Sequence, residues 1–206
     1  MFCVMSPRQT PSSRETLLNA GSLCFRREGY VATTVDDSCR EAGVSKGAFF
    51  HHFASKEALA EACLEKWGND MAAMDAASSY HAIEDPVERL MGCMDFYAGI
   101  FSHPDQLKSC LAGTIAQECF DTNPTLRDAS HRCFVGGETM FAALVEQAAA
   151  AKGVVIDSGG IARLWMGTVQ GALILYKASQ DVSVIQNNLR HVRAYIGALV
   201  GAGAAQ

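Results

Sequence analysis

The sequence is short of the positive charge that a nucleic-acid binder usually carries: 17 Lys and Arg stand against 22 Asp and Glu, a net charge of −5. Non-specific attraction to a polyanion is therefore expected to be modest, with duplex binding dependent on placed contacts rather than on bulk charge. No C-x-x-C pair occurs among the eight scattered cysteines. That excludes a zinc ribbon and argues against a secreted disulfide framework; in a reducing compartment most act as small buried hydrophobes. No window is apolar and uncharged for the length of a membrane span. The start, MFCVMSPRQTPSS, lacks the basic and apolar regions of a secretory signal. Alternating strand patterns, internal repeats and glycine-rich phosphate loops are also missing. These absences predict an all-α, cytoplasmic chain with no membrane partner, no metal and no cofactor.

The charge is unevenly placed. Residues 1–67 hold eight basic and eight acidic side chains, so the remainder carries the whole deficit. Within that neutral front lies the most informative stretch, TTVDDSCREAGVSKGAFFHHF, from Thr33 to Phe53. Thr34 is a good helix N-cap, and Asp37 three residues on completes a reciprocal capping pattern. Val35, Cys39 and Ala42 recur at helical spacing, and Gly43 stands where a helix ends in a left-handed residue. Ser45 then caps a second helix from Lys46 to about His52. Helix, glycine turn and capped helix make the helix-turn-helix signature, although the same spacing suits an ordinary helical hairpin with an aromatic core side. Lys46 can reach a phosphate or a guanine edge, while Gly47 and Ala48 let the backbone approach the groove floor.

Residues 14–67 resemble the DNA-binding domain of the TetR family of transcriptional regulators. Phe25, Gly29, Tyr30, Thr33, Thr34, Val35, Ala42–Lys46, Gly47, Phe50, His52, Phe53, Ser55, Lys56 and Leu59 carry the likeness without a gap. Phe50 and His51 stand where tyrosines are common in that family. We expect Thr34, Lys46 and Lys56 to hold phosphates, assisted by Thr33 and His52. Ser45, Gly47, Ala48, Phe50 and His51 are expected to face base edges or the groove wall. The adjacent His51 and His52 point apart on a helix and have no third ligand at metal spacing.

The rest of the chain signals only helices. One should start at Ser12, paired with Glu15, and stop at Gly29; another runs from the Ser55 cap to about Trp67. An alanine-rich segment spans Met71 to about Ser79. Further helices are expected from Pro86 to Phe101, Lys108 to Phe120, Asn123 to Lys152, Asp157 to Ser179 and Asp181 or Val182 to Val200. The organisation expected is an arm over residues 1–12 (with Arg8 able to touch DNA), a helix-turn-helix domain over 13–67 and a ligand-binding and dimerisation domain over 68–206.

The last two helices are apolar over more than one side, so a partner subunit must bury part of them. The resemblance implies the same, two helices from each subunit pairing across a two-fold axis. Leu164, Gly167, Gly171, Ile174, Leu189, Val192 and Ile196 are the expected interface residues, a monomeric core being the alternative. A homodimer would present two reading helices to a double-stranded operator. A DNA domain joined to a large helical domain suggests a repressor released by a small-molecule inducer. Met91, Met94, Tyr97, Phe101, Trp165 and Tyr176 are the expected pocket lining.

Cys110 suggests a second trigger. It opens a helix, where free N–H groups favour thiolate, and Lys108 lies close in sequence. The stretch around it, with Gly171–Ser179, is similar to the ligand domain of N-ethylmaleimide-responsive repressors in the same family. By that likeness Cys110 matches their sensing cysteine and Lys177 a lysine placed to bond with it. The alternatives are a thiol-based redox or electrophile sensor and a cysteine that merely packs. No base and orienting group accompany Cys110, and Glu118 with Asp121 makes no convincing acid/base pair, so an enzyme is not expected.

Overall fold

A computed structural model describes residues 12–103 and 109–201. The expectations placed on Arg8 and Lys108, and nearly all of the arm over residues 1–12, lie outside those residues. Among the described residues every regular element is helical: α1 Ser13–Glu28, α2 Val35–Ala42, α3 Lys46–His52, α4 Lys56–Ala76, α5 Pro86–Phe101, α6 Leu111–Cys119, α7 Pro124–Lys152, α8 Ser158–Ser179 and α9 Ser183–Leu199.

Local chemistry sets most of the boundaries. Ser12, Ser45 and Ser55 each accept a hydrogen bond from the backbone three residues on. Asp85 and Asn123 do the same ahead of Pro86 and Pro124, which occupy the first helical turn where no N–H partner is needed. Thr34 and Asp37 form the full reciprocal box. Each such cap is worth about 1 kcal/mol. Gly43 closes α2 at φ +65°, a left-handed conformation that costs glycine nothing.

α1 packs along α2 and α4. Gly21 is required there, because a Cβ would come 2.9 Å from a Leu59 methyl. Leu17, Phe25, Phe49, Leu59 and Leu64 are fully buried, and they join one continuous core that runs on through Leu90, Met94, Leu111, Ile115 and Leu126. α7, 29 residues long, backs α4, α5, α6 and α8. Phe141 on α7 stacks on Trp165 of α8 with 5.2 Å between ring centres and 7° between planes.

Three sequence expectations are corrected. The helix expected to end near Trp67 and the separate segment from Met71 are one element, α4, so the boundary drawn between residues 67 and 68 falls inside a helix. Nothing at Asn69–Asp70 breaks a helix, and both polar residues face solvent. α6 starts at Leu111, with Cys110 as its N-cap rather than within its first turn. Third, Leu189, Val192 and Ile196 are buried inside their own chain, at 1%, 7% and 0% exposure, and cannot line an interface between copies. They turn inward because α9 covers α5 and α8. None of the described helices is long and apolar enough to cross a membrane.

Candidate nucleic-acid interface and ligand cavity

α3 is a seven-residue helix with two distinct sides. Phe49 and Phe53 are buried at the rear, tilted ring against ring 5.9 Å apart, and fix its orientation. Phe50, 53% exposed, and His51 project outward beside Ser45, Lys46 and Gly47; Ala48 is half-buried. Ser45 Oγ accepts from the Ala48 N–H at 3.2 Å, which leaves its own proton free to donate. Lys46 Nζ reaches Asp36 at 2.9 Å, but both side chains are well exposed and such a pair is worth at most about 1 kcal/mol. A phosphate can displace it. Five of these six residues are exposed to solvent, with Ala48 half-buried among them.

The other expected DNA contacts are engaged internally. Thr33 is buried, and its hydroxyl donates to Gly29 O at 2.6 Å. It cannot assist a phosphate. Lys56 Nζ donates to the carbonyls of Tyr30 at 2.8 Å, Val31 at 3.3 Å and Thr33 at 2.9 Å, and lies 4.4 Å from the centre of the Tyr30 ring. All three ammonium protons are used, so Lys56 braces the α1–α2 turn instead of holding DNA. Thr34 is exposed, yet its hydroxyl donates to Asp37 Oδ2 at 2.6 Å and accepts from the Asp37 N–H. His52 Nε2 is paired with Ser13 Oγ at 2.6 Å. For these four, the internal partner of the polar group was not visible in the sequence.

The second feature is a cavity of about 840 Å³ between α4, α5, α6, α7 and α8. Its wall includes Trp67, Asp75, Tyr97, Phe101, Cys110, Phe134, Phe141, Trp165 and Gln170. Of the expected lining, Tyr97, Phe101, Cys110 and Trp165 are there. Met91 and Met94 are buried in the core, and Tyr176 and Lys177 lie off the wall. Sequence reasoning missed the whole α4 and α7 contribution, including Asp75, Cys133 and Met140. Asp75 accepts from the Tyr80 hydroxyl and, at 3.0 Å, from that of Tyr97, with His81 Nε2 3.3 Å away. Burial, with Asp75 beside them, pushes both phenols well above the ordinary range.

Cys110 does not have the setting expected of a reactive thiol. It is buried, and burial raises its pKa despite the Gly113 N–H, Gln170 and Arg26 that favour thiolate. Lys177 Nζ donates to Thr114 Oγ1 at 3.3 Å and not to the sulfur. No His, Cys, Asp or Glu group among the described residues is arranged to hold a metal ion.

α6 ties the two features together. Ser109 Oγ donates to Arg26 O at 2.9 Å at its start. Near its end Glu118 Oε2 accepts from the Val31 N–H at 2.7 Å. A capped helix-turn-helix unit, clipped by both ends of α6 to a helical domain built around a cavity, defines a helix-turn-helix regulatory protein. Residues 17–63 match the family model described as bacterial regulatory proteins, tetR family. Residues 86–191, over half of the chain, match that of the LmrA/YxaF-like transcriptional regulator C-terminal domain. The chain belongs to the TetR family and is a DNA-binding transcriptional regulator, not an enzyme.

Individual relatives agree. The HTH-type transcriptional regulator YxaF of Bacillus subtilis is 29% identical over 82% of this chain and 87% of its own. The HTH-type transcriptional repressor DhaR of Mycobacterium sp. is 30% identical over 59% of each, so the chain spans less than two thirds of DhaR. The regulatory protein TetR from Rhodobacter sphaeroides shares the fold with a TM-score of 0.78 at 22% identity, over 89% of this chain and 98% of that one. Reduced NemR of E. coli superposes with a TM-score of 0.72 at 22% identity, over 88% and 95%.

Proposed function

We propose that the protein is a cytoplasmic repressor that binds a palindromic operator as a homodimer and leaves it when a small-molecule inducer fills the cavity. The observation that carries this is the course of α4. Its first turn holds Lys56, which braces the turn before the reading hairpin, and its later turns supply Trp67, Gly68, Ala72 and Asp75 to the cavity wall. Whatever shifts α4 at one end is felt at the other. DNA contact falls to Ser45, Lys46, Gly47, Ala48, Phe50 and His51, with Thr34 and His52 joining only if they exchange their internal bonds.

Dimerisation is supported by what α8 and α9 leave uncovered. Leu164 at 42%, Ile174 at 47% and Leu175 at 52% exposure follow one side of α8 with Gly167 and Gly171, where a Cβ meets nothing within 4 Å. Tyr195 and Leu199 continue the apolar surface on α9. The small residues permit close helix approach, and the pattern suits a four-helix junction. The units over residues 13–67 and 68–206 would then act as DNA and effector parts joined rigidly through α4. A trigger at Cys110 has less behind it, because burial holds the thiol protonated.

The test is footprinting of the DNA upstream of the protein's own reading frame at low salt. Two protected half-sites one helical turn apart, about 34–36 Å, are expected. Absence of protection at any position would overturn the reading.

A further inference from the structure

Among the described residues Asp75, in the last turn of α4, is the only buried carboxylate, and it is part of the cavity wall. It continues one face of that helix. Leu64, Gly68, Met71 and Ala72 precede it at intervals of three and four residues, and all of them line the cavity. Asp75 Oδ1 accepts from both phenols, Tyr80 and, at 3.0 Å, Tyr97, itself a wall residue. No described donor is bonded to Oδ2. His81 Nε2 stands 3.3 Å from it but is bonded to the Asp75 carbonyl at 2.9 Å. The Asp75 side chain keeps 12% of its surface accessible, so the open oxygen can be met from the cavity. A largely buried carboxylate with one oxygen unmatched favours a donor that also brings positive charge.

Nothing nearby supplies that charge. α4 ends in free carbonyls with no basic residue in its last turn, so the helix end adds to the negative field. Burial beside Asp75 keeps both phenols protonated, and they contribute dipoles without a countercharge. The other ionised groups among the described wall residues are Glu61, Glu65 and Arg132. All three are exposed, and Arg132 lies 3.9 Å from Glu61. Arg26 packs 5.2 Å from the centre of the Trp67 ring but is not part of the wall. The interior instead offers ring surface, from Trp67, Phe101, Phe134, Phe141 and Trp165, and ring faces attract cations.

We propose that Asp75 Oδ2 is the polar anchor of the cavity, taking the ammonium of an aromatic amine whose rings lie along the Trp and Phe wall. This rests on reading the cavity as the effector site and names the effector's class. The ligand's charge is then held by the far end of the helix whose first turn braces the reading hairpin.

The test compares 2-naphthylmethylammonium with neutral 2-naphthylmethanol on the full chain, by titration calorimetry at about pH 8, above the ordinary histidine range. Both probes can donate to Oδ2, so the charge is what distinguishes them. The ammonium should bind at least about tenfold more tightly, as expected for a hydrogen bond between charged groups. Asp75→Asn, which can still accept from the phenols, should abolish that preference and leave the alcohol nearly unchanged. Tyr97→Phe keeps the ring and removes one donor that shares the carboxylate, so the preference should widen. Should Asp75→Asn not fold, Tyr97→Phe decides alone. A preference set by Glu61 and Glu65 at the mouth would ignore both changes, and that result overturns the subsite. Equal binding of ammonium and alcohol by the unaltered protein overturns it too, and leaves the cavity reading standing. Gly136→Trp, at a wall position where a Cβ meets nothing within 4 Å, should block both probes. Binding of neither probe to the unaltered protein overturns subsite and cavity reading together.

Discussion

Glu118 and Val31, 87 residues apart in sequence, are joined by a 2.7 Å hydrogen bond from backbone N–H to carboxylate. The same carboxylate lies over Gly29, whose φ of +96° and lack of a side chain let it approach. Glu118→Ala should cost about 1 kcal/mol of stability and blunt release from the operator, while Glu118→Gln, still an acceptor, should keep most of both. Urea unfolding and inducer-dependent release measured on the same preparations check this. Equal behaviour of the two variants would show that the bond transmits nothing.

Two lysines that look alike in sequence should separate cleanly. Lys46→Ala is expected to weaken operator binding and reduce the slope of log affinity against log salt by about one. Lys56→Ala should instead lower the unfolding free energy by about 1–3 kcal/mol, since three carbonyls lose their donor, and leave the salt slope alone. An altered slope in the Lys56 variant would return that residue to the DNA surface.

Burial pushes the Cys63 thiol from 9.0 to about 11. An acid whose folded pKa is raised adds stability below its unfolded pKa and loses it as pH climbs to the folded value. Stability should therefore fall between pH 9 and about 11, with on the order of 2–3 kcal/mol traceable to Cys63. Urea midpoints of the parent and Cys63→Ala across that range will differ in slope if this holds. Near neutral pH, a maleimide should label Cys110 more slowly than free cysteine.

Ile174→Arg and Ile196→Arg should fail in different ways. The first places charge on an exposed stripe, and should give a helical species of half the native mass with operator affinity reduced by about 100-fold or more. The second buries an unpaired charge and should unfold the chain. A dimer that survives Ile174→Arg would move the interface elsewhere.

Features set by neighbours in sequence were readable from the chain itself. Ser12, Thr34, Ser45, Asp85 and Asn123 announce helix starts because a short polar side chain reaches N–H groups only three residues away, and Gly43 and Gly153 announce stops. Features set by distant partners were not. Nothing local says that Lys56 Nζ ends on carbonyls 23 to 26 residues earlier, or that Thr33 folds its hydroxyl onto Gly29. An apolar α9 signals burial without saying by what, so Leu189, Val192 and Ile196 were given to a partner when α5 and α8 take them. The cavity depends on how α4 and α7 cross, which no single segment encodes.

The 21 unbroken residues of α4 give it a length of about 31 Å. A body that stiff behaves as a lever. Tilting the cavity end by about 5° sweeps the opposite end through about 3 Å, comparable to the rise between stacked base pairs. A ligand need not deform the reading head at all to put it out of step with the groove.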